Sequence, residues 1–347
     1  MVLLQSPVLF KHRNESVYLF TLKNNQGIEV SISNLGAIIQ SLIVPGKTGE
    51  VCDIVLGFDD MSQYLSPDYL NANAYLGATV GRYANRIKSS CFELDGELVQ
   101  LSSNFSAHQL HGGFEGFDRK VWKVEQISES PETKIVFSYL SEDGEEGFPG
   151  NLRVRVSFEL TDSNELIIET KASTDKPTAV NLTHHDYFNL NGKGRIEDHF
   201  VEIPASFYLG QDPDMVPTGE FISVEGSGYD FRKVTQISRV WNSENGYDQS
   251  FILDKKYTEW GKAAMVLSEK TGIKLEIYTD EPSVQFYTGK HLNIKSAKRG
   301  ENYLPFTGLC FETQHHTNAV NIPAFPSTIL RPGELYRHKS SFVLSVI

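Results

Sequence analysis

Residues 152–160 read Leu-Arg-Val-Arg-Val-Ser-Phe-Glu-Leu, so that Leu152, Val154, Val156, Phe158 and Leu160 alternate with Arg153, Arg155, Ser157 and Glu159. Successive side chains of an extended strand point to opposite faces, and a period of two therefore predicts a strand with one apolar and one wet side. A polar turn, Thr161-Asp162-Ser163-Asn164, leads into the apolar-rich residues 166–172, which makes the whole a half-buried β-hairpin.

The same period recurs outward from this hairpin, over residues 27–43, 135–140 and 264–279, where Lys270-Thr271-Gly272 supplies the turn, and the chain closes on a strand-like 341–347. Helical periodicity is confined to short pieces, 61–65 and 234–241. Strands without intervening helices predict an all-β, antiparallel sandwich, not a parallel α/β sheet. No internal repeat and no linker-like stretch divides the 347 residues, and a sandwich of this length can close around one core, so residues 1–347 are expected to form one large domain.

Composition narrows the function. A net charge of −12 and no basic cluster longer than Lys298-Arg299 argue against a nucleic-acid partner. No apolar stretch approaches the ~20 residues that span a bilayer, and the opening residues carry no basic region ahead of an apolar run, so neither membrane nor export is expected. Cys52, Cys91 and Cys310 are odd in number and lack any CxxC spacing, which encodes no disulfide framework or thiolate zinc site and suits a reducing cytoplasm. No obligate protein partner is evident.

Four segments carry more polar chemistry than a plain sheet requires: Gly81-Arg82-Tyr83-Ala84-Asn85-Arg86, His108-Gln109-Leu110-His111-Gly112-Gly113, the run from Asn181 to Leu190 around His184-His185, and Phe311-Glu312-Thr313-Gln314-His315-His316. None has the spacing of HExxH or of a Cys/His zinc module. Taken singly, each has a bland explanation. His111-Gly-Gly reads as a strand end and turn, Glu312 as a surface carboxylate, Asp248 as a turn residue, and Asn85-Arg86 as a strand edge. His184 and His185 must face opposite ways on a strand, so only one can enter a given cleft, and His185 is the expected one; His315 and His316 diverge likewise.

Read together and in order, GRYANRI at 81–87, QLHGG at 109–113, NLTHHDYFNLNG at 181–192, GYDQSF at 246–251, VQFYTG at 284–289 and ETQHHTNAVN at 312–321 resemble the galactose mutarotase (aldose 1-epimerase) family over almost the whole chain. DGEEGFPGNL at 143–152 and ILRPGELY at 329–336 extend the likeness. The resemblance implies a large β-sandwich of the galactose mutarotase type, an open sugar cleft and no cofactor or metal. It assigns the general acid to His185, the general base to Glu312, a second active-site histidine to His111, and hydroxyl-binding roles to Asn85, Arg86, Asp248 and Gln285. His184, Gln249 and Thr317-Asn318 depart from the usual pattern beside these positions, which leaves the choice between galactose and glucose open.

Those residue types suit the implied reaction. Interconverting the α and β anomers of a free hexose needs one group to protonate the ring oxygen while another takes the proton of the C1 hydroxyl, and a histidine and a carboxylate both titrate within reach of neutrality. Side by side, His⁺ and Glu⁻ are expected to stabilise each other's charge. Asn85, Arg86, Asp248 and Gln285 offer the paired donors and acceptors that vicinal hydroxyls match. A hexose-6-phosphate 1-epimerase would need more cationic side chains, a non-catalytic sugar-binding protein could dispense with one of His185 and Glu312, and a glycoside hydrolase would need two catalytic carboxylates.

Overall fold

The computed structural model describes residues 2–129, 133–239, 241 and 246–347. Strands Leu152–Leu160 and Glu165–Thr174 pair antiparallel, from Leu152 opposite Thr174 to Leu160 opposite Leu166. Val154, Val156, Phe158 and Leu160 are buried and Arg153 and Arg155 exposed, as the alternation requires. Asn164 turns the chain at φ 63°, a left-handed conformation that Asn tolerates better than most side chains.

This hairpin lies in a nine-stranded sheet whose order is Lys123–Ser128, Thr133–Ser141, Leu152–Leu160, Glu165–Thr174, Tyr336–Val346, Ile273–Thr279, Gly261–Leu267, Phe200–Glu202 and Thr235–Gln236. Two five-stranded sheets face it in the core. One runs Val2–Gln5, Leu19–Lys23, Glu29–Ser33, Ile39–Pro45, Val51–Asp53; the other runs Pro217–Ser223, Phe207–Gln211, Asp248–Ile252, Ser283–Tyr287, Cys310–Gln314. The expected all-β, antiparallel architecture is what the chain adopts, and the single α-helix among the described residues is Pro67–Ala72, capped by the Ser66 hydroxyl. Among the described residues no helix is long and apolar enough to cross a membrane.

Boundaries differ most from the sequence reading in three places. Residues 27–43 split into two strands, because Gly36 and Ala37 turn the chain at φ 63° and 47°. The last strand begins at Tyr336, five residues before the predicted start. The helical period of 234–241 is overridden: Thr235–Gln236 pairs with Phe200 and Val201 at the sheet edge, and only the 3-10 turn Ile237–Arg239 follows, residue 240 lying outside the described residues. Edge pairing satisfies that backbone more fully than one turn of helix could.

One cluster of buried side chains joins all three sheets: Phe20 and Ile32 from the first five-stranded sheet, Phe137, Phe158 and Phe342 from the nine-stranded one, and Phe251, Phe286 and Phe311 from the second. Burying each such phenylalanine contributes roughly 1.5–3 kcal/mol. The last three also orient the site. With Phe251, Phe286 and Phe311 fixed in the core, alternation sends Asp248, Gln285 and Glu312 to the opposite face of their three adjacent strands.

Candidate active site

Glu312 lies directly opposite Gln285 in the strand register, and Gln285 donates from Nε2 to Oδ1 of Asp248 at 2.5 Å. His185 comes from the short strand Thr183–His185, which pairs with Ala78–Val80 just before Gly81. Asn85 and Arg86 follow that glycine, and Arg86–Ile87 pairs with Gln109–Leu110, which brings His111 alongside. Asn85 and His111 both sit in left-handed backbone, at φ 61° and 50°. Gly112 must be glycine here: at φ 87° its missing Cβ would stand 1.9 Å from the Gly81 carbonyl oxygen.

Asn85, Arg86, His111, His185, Asp248 and Glu312 thus meet at one cavity of about 260 Å³. Gln285 is not on its wall; it lies beneath, 1% exposed, and holds the Asp248 carboxylate in place. A larger groove of about 840 Å³ runs elsewhere, beneath Arg13, Lys120 and Arg155, but these cations are already paired with Glu115, Glu145 and Glu125. Convergent chemistry, not size, makes the smaller cavity the candidate site.

Nε2 of His185 is 3.5 Å from Oε1 of Glu312, with both side chains buried. The His185 ring lies between those of Tyr75 and Tyr187, at centroid distances of 5.9 and 5.0 Å, and edge-on to His111 at 5.2 Å. Burial reverses the charge state expected from the sequence. Loss of water pushes the His185 imidazole down to about 3, and burial reinforced by the Asp248 charge lifts the Glu312 carboxyl well above its ordinary range, against the opposing pull of Arg86. Burial thus favours the protonated carboxyl of Glu312 and the neutral imidazole of His185, opposite to the ion pair expected from the sequence. Asp248 is raised as well, by burial, and His111 is held well below the usual imidazole range by burial and by the neighbouring His185 and Arg86.

Arg86 is steered from both sides. Asn85 Oδ1 accepts from its backbone N–H at 2.8 Å and from Nη1 at 3.3 Å, and its guanidinium lies over the Phe105 ring, 4.9 Å from the centroid. Nη2 approaches the Met215 sulfur at 3.9 Å. Met215 belongs to the turn between strands Phe207–Gln211 and Pro217–Ser223, which Lys88 tethers through Asp212 at 3.3 Å. Tyr75, Phe105, Met215, Tyr287 and His291 also line the wall, and the sequence reading did not single them out as site residues. Tyr75, Phe105 and Met215 meet partners from distant segments, so no local pattern marks them.

The other histidines of these motifs stand off the cavity wall. His184 turns away from the cavity, with Nδ1 on Asp186 at 2.8 Å and Nε2 on the Ala37 carbonyl at 3.1 Å. His315 meets Glu281 at 2.5 Å and the Tyr257 hydroxyl at 2.8 Å, while His316 packs on Phe325. His111, His185 and Glu312 each place a donor atom within 4.8 Å of the others, a spacing that suits a metal ion. The Asn85 N–H, however, donates to Nδ1 of His111 at 3.2 Å, so in the neutral ring Nε2 carries the hydrogen and has no lone pair for a cation.

The sequence model of the aldose 1-epimerase family matches residues 18–343. The chain belongs to that family. It is 41% identical to the galactose mutarotase of Sus scrofa over 336 residues, 95% of each chain, and 38% identical to the aldose 1-epimerase of Escherichia coli (strain K12) over 328 residues, 92% of each. Among solved structures it is similar to an aldose epimerase homologue from C. elegans, with a TM-score of 0.88 and 34% identity over 95% of this chain and 99% of that one. The galactose 1-epimerase from Lactobacillus acidophilus NCFM follows at 0.85 and 27%, covering 99% of both.

Proposed function

We propose that the protein is an aldose 1-epimerase, an isomerase that interconverts the α and β anomers of free hexoses such as galactose and glucose by opening and reclosing the ring. The observation that carries the reading is the approach of His185 Nε2 and Glu312 Oε1 within one buried cavity edged by hydroxyl-binding groups. His185 in its protonated form gives a proton to the ring oxygen while the Glu312 carboxylate takes the proton of the C1 hydroxyl. The C1–O5 bond breaks, the aldehyde turns about C1–C2, and the reverse transfers close the ring on its other face. The pair holds one proton throughout. The open-chain state corresponds to neutral His185 and protonated Glu312, the distribution that burial already favours, so the site is suited to the ring-opened half of the cycle. Hydrogen bonds from the bound sugar to Glu312 favour the carboxylate that starts it.

Arg86 and Asn85 donate to, and Asp248 accepts from, the remaining hydroxyls, while Gln285 holds Asp248. Arg86 is the only Lys or Arg on the described cavity wall, which favours a neutral hexose over a hexose 6-phosphate. We place the activity in a single domain over residues 1–347, in the cytoplasm; three unpaired cysteines support that compartment. Polarimetry of freshly dissolved α-D-galactose, α-D-glucose and glucose 6-phosphate tests the reading. Faster decay of optical rotation for the free sugars supports it, and preferential turnover of the phosphate sinks it.

A further inference from the structure

The strand Cys310–Gln314 reaches His185 twice. Glu312 approaches Nε2 at 3.5 Å, and Cys310, two residues earlier on the same face of the strand, places Sγ 3.7 Å from Nδ1. Both nitrogens of the imidazole are therefore met by one strand, with one residue at each edge of the ring. The thiol is fully buried, it is not bonded to another cysteine, and the Tyr187 hydroxyl stands beside it. Among the described residues the side chain at Nδ1 is this thiol and not a carboxylate. The groups around the His185 ring are Cys310 and Glu312 from this strand, His111 and Tyr75 from across the cavity, and Tyr187 and the residue's own backbone from its own segment, with His184 on the opposite face.

We propose that Cys310 is a positioning residue for His185: its sulfur holds the Nδ1 edge and so fixes one tautomer and one ring orientation, with Nε2 turned to Glu312 and the sugar. This goes beyond the acid/base assignment while resting on it. A neutral, weakly polar sulfur does what an aspartate does behind the histidine of many hydrolases, with one difference. It orients the ring without adding negative charge that would make the imidazole a stronger base and a weaker acid. A proton donor to a ring oxygen needs that acidity. The thiol serves as a hydrogen-bonding partner only and undergoes no chemistry of its own.

The test separates positioning from mere filling of space. In Cys310→Ser the hydroxyl keeps a partner at Nδ1; in Cys310→Ala the partner is gone; in Cys310→Asp a charge is added. Ring ¹⁵N shifts of His185 in the sugar-free protein are read by NMR, independently of any activity, alongside kcat, KM and the pH profile by polarimetry. The proposal expects one neutral tautomer in the wild type and in Cys310→Ser, a mixture in Cys310→Ala with kcat down about tenfold at similar KM, and a His185 titration moved to higher pH in Cys310→Asp. If Cys310→Ala and Cys310→Ser lose thermal stability but keep the wild-type ¹⁵N pattern, pH profile and kcat, the proposal is overturned. Should Cys310→Asp fail to fold, the Ser and Ala pair still decides. An intact ¹⁵N result in a protein without epimerase activity would uphold the tautomer assignment and reject the functional reading instead.

Discussion

Asn85 and His111 clasp each other through their backbones and one ring nitrogen: the N–H of His111 donates to the Asn85 carbonyl at 3.0 Å, and the N–H of Asn85 donates to Nδ1 of His111 at 3.2 Å. Two motifs separated by more than twenty residues thereby become one rigid unit, and His111 is left with a hydrogen at Nε2 to offer the sugar. His111→Ala should lower kcat/KM by roughly 10²-fold, a loss typical of a charge-stabilising donor. His111→Gln, which can still donate, should recover part of it. Equal damage in both variants, measured by polarimetry, would show that donation from this position is unimportant.

Glu312→Gln keeps the shape and a hydrogen bond but removes the proton acceptor. We expect kcat to fall on the order of 10²-fold or more with little change in KM, and His185→Asn to lower kcat likewise. Because both act in one transition state, the double variant should be less impaired than the product of the single losses. Near wild-type turnover in Glu312→Gln, with Asp248→Asn inactive but still able to bind sugar, would move the base to Asp248.

Gly112→Ala combines an unfavourable φ with a clash against the Gly81 carbonyl, whereas Gly96→Ala has a similar φ of 86° and nothing within 4 Å of the added carbon. The second change should cost about 1 kcal/mol, the strain of left-handed backbone alone. Gly112→Ala should cost more than about 3 kcal/mol and abolish activity, since the displaced backbone carries His111 on one side and borders Asn85 and Arg86 on the other. Chemical denaturation of the two variants checks the difference, and comparable stabilities would refute the steric argument.

The buried Glu281–His315 pair gives stability a pH signature. Burial alone would raise Glu281 and lower His315, but their mutual attraction outweighs it, so Glu281 is held below its ordinary value and His315 above. The depressed carboxylate contributes stability that is present above its unfolded value of about 4.5 and is lost as pH falls through its lower folded value. The raised imidazole contributes stability that is fully present below its unfolded value of about 6.5 and is lost as pH rises through its higher folded value. Glu281→Gln should therefore be most destabilising between about pH 5 and 6.5 and progressively less so in the alkaline range. A penalty independent of pH, in thermal melts across that range, would mean that the pair is not ionised.

Most of the fold was readable because the chain alternates where it is half buried. The hairpin 152–174 announces itself, since Arg153 and Arg155 face water while Val154 and Val156 face the core. The first five-stranded sheet was only partly legible, because the period over 27–43 does not mark the turn at Gly36 and Ala37 that divides Glu29–Ser33 from Ile39–Pro45. The site was legible as ordered motifs. Its outer wall was not: Tyr75 acquires meaning only when it meets His111 at 4.6 Å, and Met215 only when it meets Arg86. Gln285 shows the converse limit. Its motif assigns it a sugar hydroxyl, whereas its side chain lies off the cavity wall and donates to Asp248. Charge state was misread for a related reason, since sequence reveals the partners of His185 but not how little water reaches them.

The two-residue step from Cys310 to Glu312 has a consequence for how this enzyme acquires its activity. Were the strand to slip by a single residue against Ser283–Tyr287, Phe311 and Thr313 would face His185, and both imidazole contacts would vanish together while two polar groups entered the core. Turnover is therefore an all-or-none reporter of correct strand pairing. In refolding experiments, recovered epimerase activity should count molecules in the native register, and a collapsed, strand-rich intermediate should register as silent.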